Sequence, residues 1–139
     1  MPDRTPFRWI NSALWPLLLY MAAIFALSSI PDDSSFSGPA LLLAYPKLNN
    51  VLHIPLFAGL ALLCLRYLHA TGFDWRRAEL YAGGGMLAFA FSDELHQYFV
   101  PGRFASITDL LLDAAGVALA IWWSRRRRGE LKQRPARTS

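Results

Sequence analysis

Between Ser92 and Gly116 the chain reads SDELHQYFVPGRFASITDLLLDAAG. These 25 residues hold Asp93, Glu94, His96, Gln97, Arg103, Asp109 and Asp113 between two apolar runs. Four of the ten acidic residues and one of the three histidines thus fall in one stretch. An imidazole beside carboxylates suits proton transfer on a phosphate or hydroxyl group, and Asp93, Glu94 and His96 are the candidate reactive residues. Arg103 suits the holding of an anionic group such as phosphate. With His53, Gln97, Asp109 and Asp113 it makes up the candidate substrate-binding set. Ser92 and Ser106 have no motif around them that would activate a hydroxyl nucleophile. His53, His96, Asp93, Glu94 and Asp109 offer nitrogen and oxygen ligands of the kind zinc or manganese takes. No HExxH or His-x-His spacing fixes such a ligand set, so the sequence assigns no metal centre and names no cofactor.

The elements that position these residues are apolar. The chain has 139 residues, 54% hydrophobic and 17% charged, with a formal charge of +4. A soluble domain is nearer a quarter charged. The arginines gather beside apolar segments rather than in a basic stripe with exposed aromatics, which argues against nucleic acid. Cys64 is the one cysteine, so no disulfide forms within the chain. Four apolar runs follow one another: Trp9 to Ile30, about Leu48 to Leu68, Leu80 to Phe91 with a polar continuation to Val100, and Ile107 to Trp123. The first is long enough to cross a hydrocarbon core of about 30 Å. It also exceeds the apolar core of a signal peptide, and Trp9 and Trp15 suit interfacial anchors, so a retained helix is expected. Ser28 to Pro46 carries a loop signature in SSIPDDSSFSGP, and the LLLAY after that run is too short to span. Pro55 marks a break beside His53, Gly83–Gly85 suit close helix packing, and Pro101-Gly102 ends the third run.

Four spans place both termini on one side. Twelve Lys and Arg fall on that side (Arg4 and Arg8; Arg66, Arg76 and Arg77; seven from Arg125 onward), against Lys47 and Arg103 on the other. The positive-inside rule then makes both termini cytoplasmic. The expected architecture is all-α, a four-helix membrane domain over residues 1–124 and a basic, disordered cytoplasmic tail over 125–139. The tail arginines serve topology or headgroup contact. His53, Asp93–Gln97 and Asp109 then converge at one depth on the non-cytoplasmic side.

Helical spacing puts Asp93, His96, Gln97 and Val100 on one face, with Glu94 at its border. Asp109, Asp113, Gly116 and Ala120 form a second stripe, where small residues allow close approach to the third helix. Asp113 is expected to face the bundle interior toward that helix, and Arg103 to pair with one of the acids. Each residue also has a plainer role. Asp93 and Glu94 would be solvated at a helix end, Asp109 would cap the fourth helix in competition with Ser106 and Thr108, and His53 would be structural.

These residues resemble the VanZ-like family of small bacterial membrane proteins. The resemblance rests on Asp93-Glu94-Leu95-His96-Gln97, on Phe99-Val100-Pro101-Gly102-Arg103, on Ser106 and Asp109, and on Asp113 with Gly116. The family pattern looks like D-E-x-x-Q-x-F-x-P-G-R, a serine, an aspartate and Asn-x-x-Gly. Leu27–Pro31 (LSSIP) and His53 also fit its layout. This chain departs from it at Asn49-Asn50, where the family often has Asp-Lys, at Phe57 in place of tyrosine, and at Asp113 in place of asparagine. The first two departures bear on any role needing a lysine charge or a phenol at the second helix. The resemblance implies a multi-pass protein of the bacterial cytoplasmic membrane, sometimes tied to glycopeptide resistance. The expected partners are membrane lipids, including a lipid-linked cell-wall precursor. The competing reading is a non-enzymatic accessory protein whose cluster is a structural salt-bridge network.

Overall fold

Why these runs become helices is visible at their ends. The computed structural model describes residues 6–31 and 46–133, with side chains over 12–31 and 52–130. The described segments are helical throughout apart from short turns: α1 (Pro6–Ser28), α2 (Pro46–Ala70), α3 (Trp75–Gln97) and α4 (Ile107–Gln133). Asp74 caps α3, its Oδ1 accepting the backbone N–H groups of Arg76 at 3.0 Å and Arg77 at 3.1 Å. Such a cap satisfies two of the amides that a helix N-terminus leaves without partners. The Ser106 carbonyl accepts from the amides of Asp109 and Leu110 and so opens α4. Asp109 is therefore a first-turn acid, favoured by the helix dipole, and not the cap.

Two expected features of the helices are corrected. α2 is continuous through Pro55, so no break separates His53 from the rest of the helix. α4 runs past Trp123 and through Arg125–Arg128 to Gln133, where a disordered tail was expected. Arginine is a good helix former, and the extension gains an Arg126–Glu130 pair at 3.5 Å along one face. The loop around Ser37, the LLLAY segment and residues 134–139 lie outside the described residues. So do the side chains of Trp9, Lys47, Asn49 and Asn50.

α2 is the centre of the fold and packs against each of the other three helices, while α3 also meets α1 and α4. The core is built from Phe57, Leu60, Ala61, Cys64, Ala82, Met86, Ala90 and Val117. Its small side chains let the helices approach closely. The tightest approach is at Gly116, where an added Cβ would stand 2.4 Å from the carbonyl oxygen of Ile54. α4 therefore packs its small stripe on α2, not on the third helix. Of the triple glycine, a Cβ at Gly83 would stand 3.5 Å from Ile121 Cδ1, in ordinary contact with α4, while Gly84 and Gly85 have open space beside them among the described residues and make no close approach.

The outside of the bundle is apolar too. Trp15, Leu19, Leu80, Phe91, Leu111 and Trp122 are all more than half exposed, a pattern that requires a non-aqueous or protein partner. By length and composition, Leu52–Ala70 and Ile107–Glu130 can each cross a membrane. The described apolar part of α1, Ser12–Ser28, is shorter. α3 carries Arg76, Arg77 and Glu79 near one end and Asp93 and Glu94 near the other.

Candidate functional site

Residues 71–74 join α2 to α3 and 98–106 join α3 to α4, so these helices alternate in direction, and Ser28 at the end of α1 meets Asp93 at the end of α3. The C-terminal ends of α1 and α3 consequently meet the N-terminal ends of α2 and α4. At that end of the bundle His53, Asp93, Glu94, Gln97, Asp109 and Asp113 are all buried. Six polar side chains removed from solvent need partners, and their bonds define the site.

Asp113 is 1% exposed, and its Oδ1 lies 2.8 Å from His53 Nδ1. It faces inward as expected, but toward α2 rather than the third helix. Gly116, one turn on, lets the backbones come close enough for that bond. Asp93 is 2% exposed, and its Oδ2 accepts from Gln97 Nε2 at 3.0 Å. The same oxygen lies 2.7 Å from Ser28 Oγ, which is also 2.9 Å from the Ile24 carbonyl. One hydroxyl proton can serve only one of these, and a carboxylate acceptor gives the stronger bond. Glu94 reaches across to α4, where its Oε2 accepts the Ser106 amide at 2.8 Å. Asp93 Oδ1 and Glu94 Oε1 are buried without a hydrogen-bond partner among the described residues.

Glu94 and His96 exchange the places expected of them. The buried stripe of α3 runs through Ala82, Met86, Ala90, Asp93 and Gln97 and turns toward Glu94. His96 is left half-buried at the edge, stacked on Phe25 at 4.1 Å between ring centroids, with its Nε2 2.9 Å from Ser29 Oγ. His96 thus belongs to the contact with α1 and stands apart from His53 and Asp113.

Arg103 corrects a second expectation. Among the described residues it forms no ion pair with any acid of the cluster. Its Nε donates to the Ile30 carbonyl at 2.9 Å, with longer contacts of 3.5 Å to the Leu27 carbonyl and to Gln97 Oε1. The cause lies in the turn before it. The Arg103 amide donates to the Val100 carbonyl, and Gly102 has φ +78°, so Val100-Pro101-Gly102-Arg103 forms a proline–glycine turn with a left-handed third residue. That turn carries the guanidinium over the end of α1, where carbonyls lack helical partners and the dipole favours a cation. Arg103 ties α1 to the rim of the cluster while the acids below remain without it.

Ser28, Ser29 and the last carbonyls of α1 were not among the sequence candidates. Their one signal was the LSSIP stretch within the family layout, because two serines at a helix end otherwise read as loop.

A model of the VanZ/LLP1 family matches residues 4–127. The chain belongs to the VanZ/LLP1 family. No curated relative and no solved structure matches it. The residues that carry the VanZ-like pattern are those just described. Asp93, Gln97 and Asp113 line the buried cluster, Pro101-Gly102-Arg103 makes the turn and rim, and Ser106 both opens α4 and donates its amide to Glu94.

The other end of the bundle has a different arrangement. Glu79, 6% exposed, receives Arg125 at 2.8 Å and also Arg128. Arg128 lies over the Trp75 ring at 4.2 Å, and Arg126 and Arg127 lie over Trp122 and Trp123. These arginines, expected to serve only topology or headgroups, also neutralise a buried acid.

Proposed function

We propose that this VanZ/LLP1 protein spans the bacterial cytoplasmic membrane four times with both termini cytoplasmic, and that its polar end recognises or modifies an envelope lipid or lipid-linked cell-wall precursor at the outer leaflet. The observation that carries this reading is the juxtaposition of buried His53, Asp93, Glu94 and Asp113 with Arg103 at their rim. Arg103 would grip the phosphate of a lipid head through its guanidinium, exchanging its long contacts to the neutral oxygens of Leu27 and Gln97 for charged phosphate oxygens. Asp93 and Glu94 would act as proton acceptors toward the head. His96, beside Ser29 at the edge, is more readily a contact for the head than a member of the inner pair. The girdle of Trp75, Trp122, Trp123 and Arg125–Arg128 at the opposite end supports the orientation, since basic and aromatic residues favour the cytoplasmic interface. The family's link to glycopeptide resistance fits a site that meets cell-wall precursors.

The test is lipid retention by the purified protein, read by native mass spectrometry. A polyprenyl phosphate should be retained in preference to the matching neutral polyprenol. Arg103→Ala should abolish that preference, while Arg127→Ala at the other end should keep it. Equal retention of both lipids by the unaltered protein would contradict the reading. If Asp93→Asn and Arg103→Ala also remove glycopeptide tolerance conferred on a susceptible bacterial host at unchanged protein level, the salt-bridge-network alternative fails. For topology, tags at Met1 and Ser139 should report the cytoplasm, and a cysteine replacing Ser37 should be labelled from outside.

A further inference from the structure

We propose that His53, Glu94 and Asp113 together hold a divalent cation of the zinc or manganese type. No ligand spacing marks such a site in the sequence, because its members come from three helices and are 41 and 19 residues apart along the chain. Folding brings one ligand atom from each within 4.8 Å of the other two. Neighbouring ligands on a tetrahedral zinc are about 3.4 Å apart, given bonds of 2.0–2.2 Å. His53 Nδ1 and Asp113 Oδ1 are hydrogen-bonded at 2.8 Å, so on an ion they would lose the proton between them and open by about 0.6 Å, while Glu94 closes in from within 4.8 Å.

A second observation points to a ligand. Glu94 is 94% buried, and its Oε1 has no hydrogen-bond partner among the described residues. A carboxylate oxygen in that position costs free energy unless something fills its lone pairs. Asp93 Oδ1, one residue away, is in the same state. Among the described residues no arginine or lysine forms an ion pair with Asp93, Glu94 or Asp113. A dication would neutralise the acids from within the cluster. The surroundings also suit a metal centre, where ligands are held by further hydrogen bonds. The Ser106 amide fixes Glu94 through Oε2, and the Gly116 contact fixes the spacing between His53 and Asp113. Three protein ligands of mixed nitrogen and oxygen type leave a fourth position for water or an anionic oxygen. The inference goes beyond the lipid reading and does not rest on it.

The experiment uses the full chain purified in detergent, stripped with a chelator, dialysed against Zn2+ or Mn2+ and assayed for bound metal. The expected result is about one equivalent per chain. Glu94→Gln and Asp113→Asn should each weaken binding by at least about tenfold, while Glu79→Gln at the opposite end keeps it. X-ray absorption of the zinc-loaded unaltered protein, which depends on no variant folding, should show one imidazole with oxygen ligands and no sulfur. Stoichiometric binding that survives the His53→Ala, Glu94→Gln double substitution would overturn the proposal. So would no bound metal in the unaltered protein, or a zinc spectrum without imidazole. Lipid preference is measured separately with the metal removed, so either reading can fail while the other stands.

Discussion

α3 begins at one buried acid and ends at two, and the two ends are built on opposite plans. Glu79 sits between Arg125 and Arg128, so both its oxygens are partnered by guanidinium groups from α4. Asp93 and Glu94 each use one oxygen and leave the other buried and empty among the described residues. Buried polar groups are ordinarily satisfied. A fold selected for stability alone would treat the two ends alike. The first end is a clamp that closes the bundle, and the second holds unfilled acceptor capacity at a cost, as functional sites do.

The comparison breaks most sharply at Asp113. Asp113→Leu strips the partner from buried His53, and removing one member of a buried pair costs about 3–5 kcal/mol. We expect a large fall in detergent melting temperature, whereas Asp113→Asn keeps the fold because an amide oxygen can occupy the same position. A melting temperature for Asp113→Leu at or above that of the parent would mean that the His53 bond does not hold the helices. Next in size is Gly116→Val. Its Cβ would meet the Ile54 carbonyl, and such overpacking costs about 1–3 kcal/mol. The same change should abolish zinc binding by spreading α2 from α4. An unchanged melting temperature would contradict the close approach. Smaller again is Arg103→Ala, which removes a contact to α1 backbone carbonyls at the rim. A charged-group hydrogen bond contributes about 1.5–3 kcal/mol, and partial exposure lowers that. The expected melting shift is modest, with a larger effect on lipid preference.

Much of this arrangement was legible before any coordinates. The four apolar runs marked the helices, and their alternation required His53, Asp93–Gln97 and Asp109 to share one end. The depth of Asp113 required it to face inward. What periodicity could not supply was the neighbour. A 3.6-residue repeat defines a face but not which helix that face meets, so the repeat points Asp113 toward the third helix while its partner is on the second. Charge is visible in a sequence and points Arg103 to the acids, whereas the carbonyl acceptors at the end of α1 are not visible there. Glu94 and His96 changed places because the stripe through Ala82, Met86 and Ala90, rather than Asp93 alone, sets the inward direction of α3.

The most direct test of the contrast between the two ends is a paired thermal denaturation in detergent with a chelator present, comparing Glu94→Gln with Glu79→Gln. The glutamine at position 94 keeps an oxygen for the Ser106 amide and turns the empty acceptor into a donor facing neighbouring carboxylates. The glutamine at position 79 leaves two guanidinium groups without their carboxylate. The account predicts that Glu94→Gln melts at or above the temperature of the unaltered protein and that Glu79→Gln melts below it. A fall for Glu94→Gln as large as that for Glu79→Gln would show that both ends are structural clamps and would contradict the account.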